Sequence, residues 1–145
     1  MQQNLQQKKG LVENVFNKVF DKYDLMNDLM SLGIHRIWKK ELIYMMNPSI
    51  GQNLVDVACG TGDIAKLFNE ATNNKSNIFC VDPNSKMLSK GRKKLKSLKN
   101  IKFIKGNAEK LFFPNNTFDF YTIVFGLRNT KNISKSISEA YRVLK

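Results

Sequence analysis

Residues 51–145 predict an α/β fold, a doubly wound parallel sheet, and residues 1–50 predict a helical segment ahead of it. Three observations carry this. Short apolar runs alternate with amphipathic stretches at helical spacing, the first run ends in Gly60-Thr61-Gly62, and the second stops at Asp82-Pro83. Repeating βα units of this length join parallel strands through crossover helices, so the sheet is covered on its faces.

The elements follow in order. Up to about Pro48, apolar residues recur at helical spacing: Leu11, Val15, Val19, then Leu25, Leu29, then Ile34, Ile37, Trp38, Leu42 and Met45. This pattern predicts three short helices broken near Asp24 and Gly33 and ended at Asn47-Pro48. Leu54–Ala58 is the first strand and Asp63–Thr72 the helix after the glycine turn. Ile78–Val81 is the second strand; Ser85 is the expected cap of a helix running to about Leu98. Ile101–Ile104 and Phe118–Phe125 are the third and fourth strands, and Ser134–Leu144 is the last helix. Sheets of this class usually carry more strands, so the chain is expected to be truncated at Lys145, with strand four a bare edge.

Composition narrows the function. Lys and Arg number 24 against 12 Asp and Glu, a formal charge of +12. That field favours anionic partners such as nucleic acid or a phospholipid surface. The densest basic run, Lys86 to Lys105, reads as the solvated face of a surface helix, and no aromatic residues interleave it as base stacking requires. Nucleic acid is therefore not an expected partner. No stretch reaches the roughly 18 apolar residues of a membrane span, and the Gln-rich start is not a targeting signal, so a cytoplasmic protein is expected. Cys59 and Cys80 sit in apolar runs as small buried thiols; with one His and no Cys-x-x-Cys, no metal is expected.

Gly60-Thr61-Gly62-Asp63-Ile64-Ala65 fits Gly-x-Gly-x-x-Ala after a strand, and Asp82 follows Gly60 by 22 residues. This is the Rossmann fingerprint, in which an acid at strand two accepts hydrogen bonds from ribose hydroxyls. By itself it suits a dinucleotide or S-adenosylmethionine equally. Asp56 before the turn and Asp63 after it argue for the latter, because a carboxylate competes with a pyrophosphate at a helix N-terminus and attracts an ammonium or sulfonium. Gly106-Asn107-Ala108-Glu109, directly after strand three, is placed to read an adenine edge or is an ordinary Gly-Asn turn.

The series Leu54 to Asp63, then Val81-Asp82-Pro83, then Gly106 to Glu109 resembles the motifs of class I S-adenosylmethionine-dependent methyltransferases. Tyr23-Asp24-Leu25-Met26-Asn27, Ser31, His35-Arg36-Ile37-Trp38 and Phe125-Gly126-Leu127-Arg128-Asn129 resemble signatures of the ubiquinone/menaquinone biosynthesis C-methyltransferases. The resemblance runs from about Val12 to Lys145 and implies an incomplete class I methyltransferase fold, Rossmann-like, behind an N-terminal helical lid. It implies cofactor contacts at Thr61, Asp82, Asn107 and Ala108, to which the glycine turn and its charge add Asp56, Gly60 and Gly62, and quinol contacts are expected at Tyr23, Asn27, His35, Trp38 and Asn129. One further family contact, often Ser, meets Val124 here.

The implied reaction is methylation of a ring carbon of a polyprenyl benzoquinol or demethylmenaquinol, with Arg128 as the catalytic residue. A neutral ring carbon is a poor nucleophile, so a ring hydroxyl must lose its proton, and a guanidinium favours the phenolate or holds a water that accepts the proton. The partners implied are a lipid-soluble quinol and an anionic membrane surface met peripherally; oligomeric state, a homo-oligomer included, stays open. The alternatives are a methyltransferase for another small molecule and an inactive cofactor-binding fragment.

Overall fold

The computed structural model describes residues 33–145. The chain divides into two compact units, Met1–Trp38 and Lys39–Lys145, with the division inside the first described helix. The elements are α1 (Ile34–Met46), β1 (Leu54–Val57), α2 (Asp63–Ala71), β2 (Ile78–Asp82), α3 (Ser85–Lys94), β3 (Ile101–Lys105), β4 (Phe120–Ile123), a 3₁₀ turn (Leu127–Asn129) and α4 (Ile133–Val143). The expected helices before Gly33 lie outside the described residues. From there on, every expected element is present, in the expected order.

The four strands form one parallel sheet in the order β3-β2-β1-β4, with β1 paired to β2 on one side and to β4 on the other. All four β1 residues are buried, as an inner strand covered on both faces requires. Side chains alternate across a strand, so Leu54 and Asp56 share one face and Val55 and Val57 the other. On the first face Leu54, Ile78, Cys80 and Ile101 meet Ile43 of α1 and Ile64, Ala65 and Phe68 of α2. On the second, Val55, Val57 and Val81 meet Ala108, Leu111, Phe118 and Val143. The neighbouring Phe79, Phe113 and Phe118 rings meet edge to face at 4.9 to 5.6 Å between centroids.

Four expectations are corrected. The cap of α3 is Asn84, not Ser85: its backbone is extended and its side-chain oxygen accepts from the Lys86 and Met87 amides. That helix ends at Lys94 rather than Leu98, because Leu95 leaves helical geometry and Leu95–Leu98 forms a turn. β1 stops at Val57, since Ala58 adopts φ +52° to start the glycine turn. β4 is half its expected length. At its start the Asp119 carboxylate accepts from the Asn53 amide and from Lys145, while Phe118 bridges to Leu144; at its end Phe125 turns to φ +60°.

The segment after β3 is tied to α4 at both ends. Glu109 accepts from the Lys131 and Asn132 amides at the start of α4. Arg142 donates to the Leu111 and Phe113 carbonyls while pairing with Glu139, which accepts from the Leu111 amide. These charged hydrogen bonds pair backbone groups that the loop leaves without strand partners. They hold the Asn107–Ala108 turn at the carboxyl end of β3.

Candidate functional site

The glycine turn is built by left-handed backbone. Gly60 (φ +57°) and Gly62 (φ +84°) occupy a region that side chains disfavour, and a Cβ on Gly62 would come within 3.0 Å of the Phe103 ring. Gly126 meets a different limit: a Cβ there would collide with the Ala58 side chain at 2.3 Å. The segment after β4 thus lies directly against the turn that follows β1. Both are at the carboxyl end of the parallel strands, where open α/β sheets bind ligands.

Asp82 ends β2 and is a buried residue, 7% exposed. One oxygen accepts from the Gly60 amide at 2.9 Å, the other from the Asn84 amide at 2.8 Å. Burial raises its pKa and the two amides oppose that rise. Asp82 therefore fixes the glycine turn to the end of β2.

Asp56 is buried more deeply, at 1% exposure. Its Oδ1 accepts from the Thr122 hydroxyl across the β1–β4 pairing at 2.8 Å, and among the described residues its Oδ2 has no hydrogen-bond partner. Desolvation pushes its pKa up to about 7, against the Thr122 hydrogen bond and the charge of Lys39. Near neutrality this carboxyl lies between its acid and its anion. Nothing in the sequence near Asp56 indicates Thr122; only the strand register pairs them.

Asp63 is not the open carboxylate expected from the sequence. Lys39 of α1 donates to its Oδ2 at 2.6 Å and Lys94 of α3 to its Oδ1 at 2.5 Å. These partners outweigh burial and lower its pKa to about 2. The start of α2 thus holds two cations and one anion, so Asp63 no longer argues against a phosphate there. No local sequence pattern marks Lys39 and Lys94, because their meeting at Asp63 is tertiary.

Thr61 is buried, with Lys94 Nζ 3.4 Å from its hydroxyl. Asn107 uses its side-chain oxygen to accept from the Glu109 and Lys110 amides, shaping its own turn, and Ala108 is buried in the second core layer. Val124 packs against the first. Arg128 and Asn129 are exposed on the 3₁₀ turn, and among the described residues no hydrogen bond or ion pair holds the Arg128 guanidinium. His35 is buried and Trp38 exposed on α1; Tyr23 and Asn27 lie outside the described residues. A small apolar depression bounded by Val81, Ile104, Gly106, Leu111 and Phe112 is lined by none of the candidate cofactor residues. Cys59 and Cys80 are free thiols, and no helix among the described residues is long and apolar enough to cross a membrane.

Solved structures share this architecture. An S-adenosylmethionine-dependent methyltransferase from Aquifex aeolicus superimposes with a TM-score of 0.68 at 23% identity, over 74% of this chain and 58% of that one. A putative S-adenosyl-L-methionine-dependent methyltransferase from Methanococcus maripaludis gives 0.74 at 16% identity, over 88% and 58%. Among curated proteins, the ubiquinone/menaquinone biosynthesis C-methyltransferase UbiE of Rickettsia prowazekii is 52% identical over 144 residues, and that of Rickettsia bellii 51% over 145. The chain spans 58% of the length of each. The model of the ubiE/COQ5 methyltransferase family matches residues 1–145, and with these relatives it establishes that the chain belongs to that family.

Proposed function

We propose that residues 33–145 carry the cofactor-binding half of an enzyme that moves a methyl group from S-adenosylmethionine to a ring carbon of a polyprenyl benzoquinol or demethylmenaquinol. The observation that carries the cofactor assignment is the unpartnered, buried Oδ2 of Asp56 beside a left-handed glycine turn whose far side is held by Asp82. An orphaned acceptor inside a protein costs stability unless something donates to it, and an ammonium does so with charge assistance. The residues present therefore fit the group: Asp56 toward the ammonium, Asp82 toward the ribose, Thr61, Gly60 and Gly62 around the turn, Asn107 and Ala108 toward the base. When bound, S-adenosylmethionine supplies an electrophilic methyl on sulfur.

The chain's own part in the reaction falls to Arg128. It stands just past β4 without a protein partner among the described residues, on the segment that Gly126 seats against the glycine turn. A permanently charged guanidinium there stabilises a phenolate or holds a proton-accepting water. Tyr23, Asn27, His35, Trp38 and Asn129 are proposed quinol contacts on the family resemblance. A lipid-soluble acceptor and the +12 charge support peripheral contact with an anionic membrane surface.

The test is a chain completed to family length with the remaining sequence of the Rickettsia prowazekii relative. It should bind S-adenosylhomocysteine but not NADH by calorimetry and methylate a short-tail demethylated quinol. Arg128→Met should lower turnover on the order of 100-fold with S-adenosylhomocysteine affinity unchanged. Loss of that affinity with turnover per bound cofactor intact would remove Arg128 from the chemistry, and NADH binding in its place would remove the cofactor assignment.

A further inference from the structure

The arrangement at the start of α2 holds more cation than its own anion needs. Lys39 and Lys94 both bond to Asp63, a group of net charge +1 at a helix N-terminus that adds about half a positive charge. An anion with two cationic partners can release one and stay paired. Across the turn the imbalance has the opposite sign: Asp56 Oδ2 is buried and unpartnered among the described residues. Strand alternation puts Asp56 on the sheet face that packs against α1 and α2, and Lys39 is near enough to act on its charge.

A spare ammonium and an orphaned carboxyl oxygen, on either side of one left-handed turn, complement an α-amino-acid zwitterion. We propose that Lys39 binds the carboxylate of the amino-acid end of a sulfonium nucleoside cofactor, with its ammonium facing Asp56. The proposal rests on the cofactor reading above and adds a residue to it. Lys39 is favoured over Lys94 on two counts. Its side chain is 18% exposed against 36%, so less water competes for it, and it is the lysine whose charge reaches Asp56. Lys94 also has Thr61 within reach, and it keeps Asp63 paired when Lys39 turns to the ligand. One ligand carboxylate then brings the Lys39, Lys94 and Asp63 group to neutrality.

The experiment compares two ligands by calorimetry, in the 145-residue chain and in the chain completed to family length. S-adenosylhomocysteine carries the amino-acid end; 5′-methylthioadenosine keeps the nucleoside and thioether and lacks that end. Lys39→Met and Lys39→Gln are expected to weaken S-adenosylhomocysteine about tenfold, the scale of one charged hydrogen bond, and to leave 5′-methylthioadenosine unchanged. Unchanged binding of the second ligand also shows that the variants remain folded. Lys39→Arg should retain most of the affinity, and Lys94→Met should leave the ratio between the two ligands as it is. Equal weakening of both ligands, or of neither, overturns the assignment of Lys39. So does unsubstituted protein that binds both ligands equally well. Unsubstituted protein that binds neither ligand overturns the cofactor reading itself, and this inference with it.

Discussion

One face of the sheet buries Val55, Val57 and Val81 with Leu111, Phe118 and Val143, and the buried Ser136 of α4 donates its hydroxyl to the Asn132 carbonyl of its own helix, whereas the other face sets the Asp56 carboxyl and Thr122 among Leu54, Phe68, Ile78 and Cys80. The apolar face is what a parallel sheet needs in order to fold. The polar pair on the opposite face is costly, since a carboxyl moved out of water loses hydration that one hydroxyl does not replace. A feature that works against stability and sits two residues before the turn begins at Ala58 is what the proposed binding role of Asp56 accounts for. The comparison therefore separates residues that make the fold from residues that the fold tolerates.

The largest effect that can sharpen this contrast is on the apolar face. Phe118 is 1% exposed and meets both Phe79 and Phe113 edge to face. Phe118→Ala removes a ring from a packed layer, and urea unfolding should show a loss of about 3–5 kcal/mol. Asp56→Asn conserves shape on the other face, and at pH 7 it should cost nothing or stabilise while weakening S-adenosylhomocysteine. Equal destabilisation by both changes would erase the distinction.

The next effect is a pH dependence carried chiefly by Asp56, with Asp82, also raised by burial, adding to it in the same direction. The folded protein keeps the Asp56 proton up to about pH 7, whereas the unfolded chain releases it near 3.8. Between those values the folded state binds a proton that the unfolded state has lost, so stability falls as pH rises, by about 4 kcal/mol in total for a fully buried group. Asp63 acts in a different window: its pKa is lowered to about 2, so its contribution is present above 3.8 and fades as pH falls toward 2. Unfolding free energies at pH 4.5 and 7.5 should therefore differ much less in Asp56→Asn than in the unsubstituted chain. The same slope in both proteins would assign the titration elsewhere.

How far the sequence could be read follows the same division. Local patterns located β1, the glycine turn, α2, β2 with Asp82, and β3 with its Asn107 turn, because each is marked by a run of apolar residues and a punctuating Gly, Asp or Asn. Features that depend on residues distant in the chain left no such mark. Thr122 meets Asp56 only through the β1–β4 register, and Lys39 and Lys94 converge on Asp63 from two helices. The sequence predicts too long a β4 because Phe118 to Phe125 is a continuous β-favouring run. Its limits are set by Asp119 pairing with Asn53 and by Phe125 entering left-handed backbone.

The smallest effect concerns the cap of α3, which is local in sequence and yet falls on Asn84 where the pattern predicts Ser85. Both Asn84 and Ser85 are good capping residues, and composition does not choose between them. The backbone does. Asp82 accepts the Asn84 amide at 2.8 Å, which holds Asn84 extended at φ −89°, ψ 105° and leaves Ser85 to begin the helix. The Asn84 side chain then accepts from the Lys86 and Met87 amides at 3.0 and 3.2 Å, while Ser85 is exposed. Asn84→Ala should lower stability by about 1 kcal/mol in thermal or urea unfolding, and Ser85→Ala should stay within about 0.5 kcal/mol. Cofactor affinity gives the two residues a second separation from the binding face. The bond to Asp82 comes from the Asn84 backbone, which Ala retains, so S-adenosylhomocysteine binding should change less than about twofold when the cap is lost. A larger loss would mean that the cap, and not the Asn84 amide alone, holds Asp82 in position for the ribose.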